Sequence, residues 1–172
     1  MRSKRWLWNE LHDLFDTDDG SLPELRVNFR DPRATAAGYA LLRRRAGRVV
    51  TENPRFWSNP LSAECELDSV PNAATLVVAG DAEPFHVLLG GIATPSTVIP
   101  DLGVFVFPNQ LALDYRMGPD WGPSELDGLF ELLVELTNLD TGASVSLEDG
   151  ALPEVTARVQ RAWQRWAEEP SA

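Results

Sequence analysis

The sequence of 172 residues contains one cysteine, two histidines and no hydrophobic run long enough to span a bilayer. The single cysteine, Cys65, excludes an intramolecular disulfide and is typical of a reducing compartment. We expect no metal site, because structural zinc takes three or four nitrogen or sulfur ligands. Polar residues closely follow the basic start of the chain, so we expect a cytoplasmic protein without a signal peptide or membrane contact.

Basic residues are almost absent from the middle of the chain. Residues 61–157 contain 16 acidic side chains and one basic side chain, Arg116, whereas residues 1–60 carry a local charge of +3. The net charge of −11 argues against nucleic-acid binding, which requires clustered positive charge. Two interpretations stay open. Either the basic ends fold back onto the acidic middle, or an acidic face attracts a basic protein partner.

Common catalytic and nucleotide-binding motifs are also missing. The chain has no Gly-rich phosphate loop ending in Gly-Lys-Ser/Thr and no Gly-x-Gly-x-x-Gly. It has no Gly-x-Ser-x-Gly and no His-Glu-x-x-His. We therefore expect no cofactor, and the enzyme classes that depend on these motifs are disfavoured.

Hydrophobic periodicity predicts helices near both ends of the chain and strands between them. The predicted helices cover residues 5–15, 32–46, 123–138 and 153–168. The predicted strands cover residues 25–29, 48–51, 63–67, 75–79, 85–89, 103–107, 111–115 and 144–147. Most turns between strands are too short for crossover helices, which favours antiparallel pairing. We predict one α+β domain over residues 1–172, with a mainly antiparallel central sheet flanked by N-terminal and C-terminal helices in a single pair of layers.

The loop before the third long helix carries the residue types that dominate protein interfaces. Asp114, Tyr115, Arg116, Asp120 and Trp121 lie in the segment that leaves the strand predicted over 111–115 and enters the helix at 123–138. Because tyrosine, tryptophan and arginine are enriched among interface hot spots, we predict that these residues bind a partner. The structural alternative pairs the arginine with one of the two aspartates and packs the tryptophan under the helix.

Three further groups of residues are candidates. Residues 53–60 hold Phe56 and Trp57 between prolines, and we predict a second partner-binding loop there. His86, with Asp81 and Glu83 just before it, forms a possible polar site in which the imidazole acts as a general base. The alternative is a strand histidine on the outer face of the sheet or hydrogen-bonded within it.

The one basic cluster comprises Arg43, Arg44, Arg45 and Arg48. These arginines could hold a phosphate or a carboxylate. Cations are also favoured in the last turn of a helix, where free carbonyl groups carry partial negative charge, and we favour this second interpretation.

These observations favour a non-enzymatic, acidic protein-binding module. Inhibitors and immunity proteins of cationic bacterial toxins are one class of that kind. An alternative is a small enzyme with a site near His86, Asp114 and Arg116. A further alternative is a subunit or adaptor of a larger assembly, anchored by Trp57 or Trp121. The sequence indicates no oligomeric state.

Overall fold

The computed structural model describes residues 5–169. Within this range the chain forms five α-helices: α1 (Arg5–Leu11), α2 (Pro32–Arg45), α3 (Ala73–Ala79), α4 (Pro123–Thr137) and α5 (Pro153–Glu168). The ten strands are β1 (Glu24–Asn28), β2 (Arg48–Val49), β3 (Arg55–Ser58), β4 (Ala63–Glu66), β5 (Phe85–Gly90), β6 (Ile92–Ala93), β7 (Val98–Ile99), β8 (Leu102–Phe107), β9 (Gln110–Tyr115) and β10 (Ser144–Leu147). Short 3-10 turns span His12–Leu14 and Leu67–Ser69.

Six strands form one antiparallel sheet in the order β10-β1-β9-β8-β5-β2. β8 and β9 are joined by a tight hairpin, in which Phe107 pairs with Gln110. β1 comes from near the start of the chain and lies between β9 and β10. Two small hairpins, β3–β4 and β6–β7, lie outside this sheet. The α+β fold with a mainly antiparallel sheet is therefore confirmed.

The two faces of the sheet differ in what covers them. Alternate residues of the central strands, such as Val27, Val87 and Val104, are completely buried and belong to the core that the helices share. Successive side chains of a strand point to opposite faces of the sheet. The residues between these buried positions therefore lie on the other face, where most are half-buried or exposed. We call this second surface the open face; it carries Glu24, Arg26, His86, Phe105, Phe107 and Asp114.

Helix α2 begins and packs as its sequence predicts. The Asp31 carboxylate accepts a hydrogen bond from the Arg33 amide at 3.0 Å, and Pro32 occupies the first helical turn. Gly38 lets α2 approach the sheet closely, since a Cβ atom at that position would lie 2.8 Å from Leu111 Cδ1. The helical layer and the sheet thus meet across a close contact.

The prediction of a strand over residues 75–79 is wrong, because this segment lies in α3. Its β-branched and aliphatic run resembles a buried strand, but the flanking residues specify a helix. The Asn72 side chain accepts from the Ala74 amide at 3.0 Å and so caps the first turn. Gly80 ends the helix in the left-handed conformation with φ of +82°. Asn72 also donates to the Ala36 carbonyl of α2 at 3.0 Å, which ties the two helices together.

Other segments also differ from the predictions. The helix predicted over 5–15 ends at Leu11, where a 3-10 turn follows. The predicted loop at 53–60 contains β3, which pairs with β4. The short strands β6 and β7 carry no signal long enough to be predicted.

At the outer edge of the sheet, Gln160 of α5 donates to the Val145 carbonyl of β10 at 2.7 Å. The opposite edge strand, β2, has two residues.

Replacing Asn72 tests the capping of α3. We expect Asn72→Ala to lower the free energy of unfolding by about 1–2 kcal/mol, since both the cap and the bond to α2 are lost. Asn72→Asp keeps the capping oxygen and serves as the matched control with a smaller loss. Urea denaturation followed by circular dichroism measures both. Equal losses in the two variants would contradict a stabilising cap.

Candidate functional site

The strand pairing brings polar and aromatic side chains into two neighbouring rows on the open face. His86 of β5 pairs with Phe105 of β8, which in turn pairs with Ala112 of β9. In the next row, Gly103 of β8 pairs with Asp114 of β9. His86 and Asp114 are therefore diagonal neighbours across β8, although 28 positions separate them in the sequence.

His86 and Asp114 form the central polar contact of the open face. His86 Nε2 donates to Asp114 Oδ2 at 2.7 Å, and the two side chains are 40% and 23% exposed. This hydrogen bond raises the pKa of His86 above its ordinary value, against the opposing effect of burial. The contact therefore stabilises the imidazolium form relative to the neutral ring, because the carboxylate partly balances its charge.

Gly103 makes the contact between His86 and Asp114 geometrically possible. A Cβ atom at Gly103 would overlap the Asp114 carboxylate, which lies across the bare backbone of β8. Glycine in a strand interior is unfavourable for the strand itself and is typical of sites where another group approaches closely. The residue thus provides the space through which Asp114 reaches the neighbouring strand.

Two phenylalanines form an aromatic surface beside this pair. The rings of Phe105 and Phe107 stack with centroids 4.6 Å apart and planes inclined by 11°. The His86 ring meets Phe105 at 5.7 Å and an angle of 62°. Both phenylalanines are half-buried, so the stack retains surface that faces solvent.

The β1 end of the open face is acidic. Arg26 is bound by the Glu24 carboxylate at 2.7 Å and by that of Asp149 at 3.0 Å, which raises the pKa of the guanidinium. The Glu148 amide donates to the Glu24 carbonyl at 3.1 Å, so a further carboxylate lies beside this cluster. Burial and the charge of Glu24 raise the pKa of Glu148. Three carboxylates thus surround one arginine at this end.

Tyr115 and Trp121, predicted to contact a partner, are buried in the core. The Tyr115 ring stacks on Phe15 at 4.6 Å, and its hydroxyl donates to the Leu14 carbonyl at 2.9 Å. Trp121 meets both rings edge-on and donates from Nε1 to the Arg116 carbonyl at 2.9 Å. The two aromatic side chains therefore hold the loop against the core and offer little surface to a partner.

The charged members of the same loop remain accessible. Arg116 and Asp120 are exposed, and the structure records no ion pair for either within residues 5–169. Asp114, one of the two aspartates that the alternative interpretation pairs with Arg116, is hydrogen-bonded to His86 instead. Arg116 is thus an exposed cation next to the end of β9, with no ion pair to another residue in the described range.

The β3–β4 hairpin places the two aromatic residues predicted there in different environments. Phe56 is buried and pairs with Cys65, so it belongs to the core and offers no contact surface. Trp57 is 44% exposed and pairs with Glu64, whose side chain is also exposed. Trp57 alone of the predicted aromatic residues retains substantial accessible surface.

Asp81 and Glu83 lie just before β5 and outside the contact between His86 and Asp114. The Asp81 carbonyl accepts from the Asn59 amide, and the Glu83 amide donates to the Trp57 carbonyl, so both residues join β5 to the β3–β4 hairpin. Their side chains are exposed and contribute no recorded interaction to His86. The predicted polar site therefore comes together in part, with Asp114 in place of these two acids.

The arginine cluster is taken up largely by internal ion pairs. Arg43 forms a forked pair with Asp68, with both distances 2.8 Å. Arg45 binds Glu135 at 2.6 Å, and Arg48 binds Asp101 at 3.2 Å. The basic first third of the chain thus neutralises part of the acidic middle, as the first interpretation of the charge asymmetry predicts.

Several residues on or beside the open face are not predicted as site residues: Glu24, Arg26, Phe105, Phe107 and Glu148. Phe105 and Phe107 alternate with valines in β8, and Glu24 and Arg26 alternate with apolar residues in β1. That alternation indicates which side chains share a face but leaves open which face is covered. No grouping of His, Cys, Asp and Glu side chains suited to a metal ion occurs within residues 5–169.

Helices long and apolar enough to cross a bilayer are absent from the part of the chain that the structure describes. Searches against protein-family models, curated proteins and solved structures each found no match.

Two tryptophan variants distinguish the core role of Trp121 from a surface role. We expect Trp121→Ala to lower the free energy of unfolding by about 3–5 kcal/mol, because it leaves a cavity beside Phe15 and Tyr115. Trp57→Ala, at an exposed position, is expected to cost less than about 1 kcal/mol. Urea denaturation of both variants makes the comparison, and a small loss for Trp121→Ala would contradict the core assignment.

Titration of His86 tests the polar contact. We expect NMR to give an imidazole pKa above 6.5, falling in Asp114→Asn and in Gly103→Ala, which displaces the carboxylate. Because the folded-state pKa is raised, the pair's contribution to stability is full below about pH 6.5 and is lost as the pH rises through the folded-state pKa. Asp81→Asn is the control and should leave the titration unchanged. An unaltered pKa in Asp114→Asn would refute the contact.

Proposed function

We propose that this chain is a non-enzymatic binding protein whose open face contacts a positively charged protein. The observation that carries the proposal is the stacked pair Phe105 and Phe107, which keeps accessible surface beside His86 and within an acidic surround. Aromatic side chains that keep their faces accessible on a rigid sheet are suited to act as interface anchors.

The charge of the open face favours a basic partner. Glu24, Asp114, Glu148 and Asp149 lie on or beside it, and these four acids outnumber the two cationic groups there, Arg26 and the His86 imidazolium. Several arginines are held in ion pairs elsewhere, so they do not offset this local excess of acid. A second copy of the chain would bring the same acidic surface against itself, which like-charge repulsion disfavours.

The geometry favours binding over catalysis. Asp114 is the partner that the structure records for the His86 imidazole in the described residues, and no hydroxyl or thiol is hydrogen-bonded to that ring. A nucleophile and its base are expected within hydrogen-bonding reach of one another. The pair also lies on the surface of a sheet, whereas catalytic groups are typically found in a concave pocket.

Inhibitors and immunity proteins of cationic toxins are the class of binding protein that we favour. The support is the small size, the net charge of −11 and the acidic open face. Such a protein gains both speed and selectivity from charge, because opposite fields steer the two molecules together before contact.

Binding kinetics with aromatic variants test the proposal. We expect wild-type protein to capture a basic protein from an extract of its host, and the association rate of the purified pair to fall steeply with added salt. Phe105→Ala and Phe107→Ala should each weaken binding by about tenfold or more, as anchor residues do. Leu139→Ala, on a surface apart from the open face, is the matched control.

Three outcomes would contradict the proposal. The first is capture of no basic protein, and the second is an association rate that does not respond to salt. The third is loss of binding in Trp57→Ala while the two phenylalanine variants bind normally, since this would move the contact to the β3–β4 hairpin. Circular dichroism of each variant shows that the fold is retained.

A further inference from the structure

A second surface lies at the acidic end of the open face. The segment before β1 and the segment that leads into α5 enclose a groove of about 390 Å³. Its lining is mainly apolar and includes Leu22, Met117, Leu147, Glu148, Leu152 and Val155. Leu22 and Leu152 are each 61% exposed, so the apolar surface of the groove continues to its rim. We call this feature the apolar groove.

Glu148 gives the apolar groove a charge. Its side chain lines the groove, and its amide is bonded to the carbonyl of Glu24, the first residue of β1. The nearby guanidinium of Arg26 is already held by Glu24 and Asp149, and the described residues provide no ion pair for Glu148. A carboxylate that is partly buried beside another acid gains from the approach of an external cation.

We propose that the apolar groove binds a partner segment in which a bulky aliphatic side chain is flanked by arginine or lysine. The aliphatic side chain would pack between Leu22 and Leu152, and the flanking cation would bind Glu148. Mainly apolar concavities with a few fixed polar groups are typical of sites that orient what they bind. This inference rests on the proposed function, because it defines a second contact for the same basic partner.

Charge and position argue for this occupant over others. A second copy would bring its own acidic groove rim toward Glu148, and an acidic or neutral apolar segment would leave that carboxylate without a counterion. The groove adjoins the start of β1, because the Glu148 amide is bonded to the Glu24 carbonyl. A basic, aliphatic segment satisfies the apolar lining and the carboxylate together.

Three short peptides separate the apolar contribution from the ionic one. We use Ac-Arg-Leu-Arg-NH2, Ac-Arg-Ser-Arg-NH2 and Ac-Glu-Leu-Glu-NH2, and follow the methyl NMR signals of Leu22, Met117, Leu147 and Leu152. The first peptide should shift these signals with a Kd on the order of 1 mM, while the other two should bind at least about fivefold more weakly. Equal binding of the serine or glutamate peptide, or unshifted methyl signals at about 10 mM Ac-Arg-Leu-Arg-NH2, would overturn the proposal.

Variants of the groove supply the second measurement. Glu148→Gln and Leu152→Ser should each weaken the first peptide by about fivefold, and their matched controls Glu64→Gln and Leu61→Ser, on the β3–β4 hairpin, should not. Unchanged binding in Glu148→Gln or Leu152→Ser would refute the groove assignment. Failure of the groove variants would not contradict the proposed open-face contact, because that contact is tested with Phe105 and Phe107. The opposite result is also distinguishable. If the first peptide binds the groove while Phe105→Ala and Phe107→Ala bind the basic partner with normal affinity, the open-face contact is refuted and the groove assignment stands.

Discussion

The strict alternation of side chains along the central strands is the constraint on which the rest of the structure depends. Once the helical layer buries Val27, Val87 and Val104 on one side, their sequence neighbours must lie on the other. His86 and Phe105 therefore face outward together, without any helix arranging them. The core and the candidate binding surface are two consequences of one register. A shift of one residue in any central strand would exchange apolar and polar faces and abolish both.

Local patterns predicted much of the fold and failed where several structures share one pattern. Alternation predicts the strands at 85–89, 103–107 and 111–115, and periodicity predicts the helix that the structure places at α2. The segment at 75–79 was misassigned because a short run of β-branched residues fits a buried strand as well as a helix. Its caps, Asn72 and Gly80, carried the deciding information. The insertion of β1 between β9 and β10 depends on packing between distant segments, which no local pattern records.

Residues of the candidate site could be predicted from the sequence, but the contacts between them could not. Asp114 and His86 were each identified as candidates, yet their contact depends on β8 lying between β5 and β9 and on the bare backbone of Gly103. Tyr115 and Trp121 have the composition of a binding loop, but an aromatic anchor and an aromatic core residue have the same side chain. The difference is burial, which the packing of Phe15 against both rings decides.

The two edges of the sheet bear on how the molecule behaves at high concentration. An uncovered strand edge is a template on which further chains can assemble. Here the Val145 carbonyl of β10 is occupied by the Gln160 side chain, and β2 provides two residues of backbone. The first contact removes one acceptor from its edge, and the short length of β2 limits the backbone that the other edge offers to a further chain. The chain thus presents stacked aromatic rings on the open face of the sheet, while its edge strands offer limited backbone for pairing with other chains.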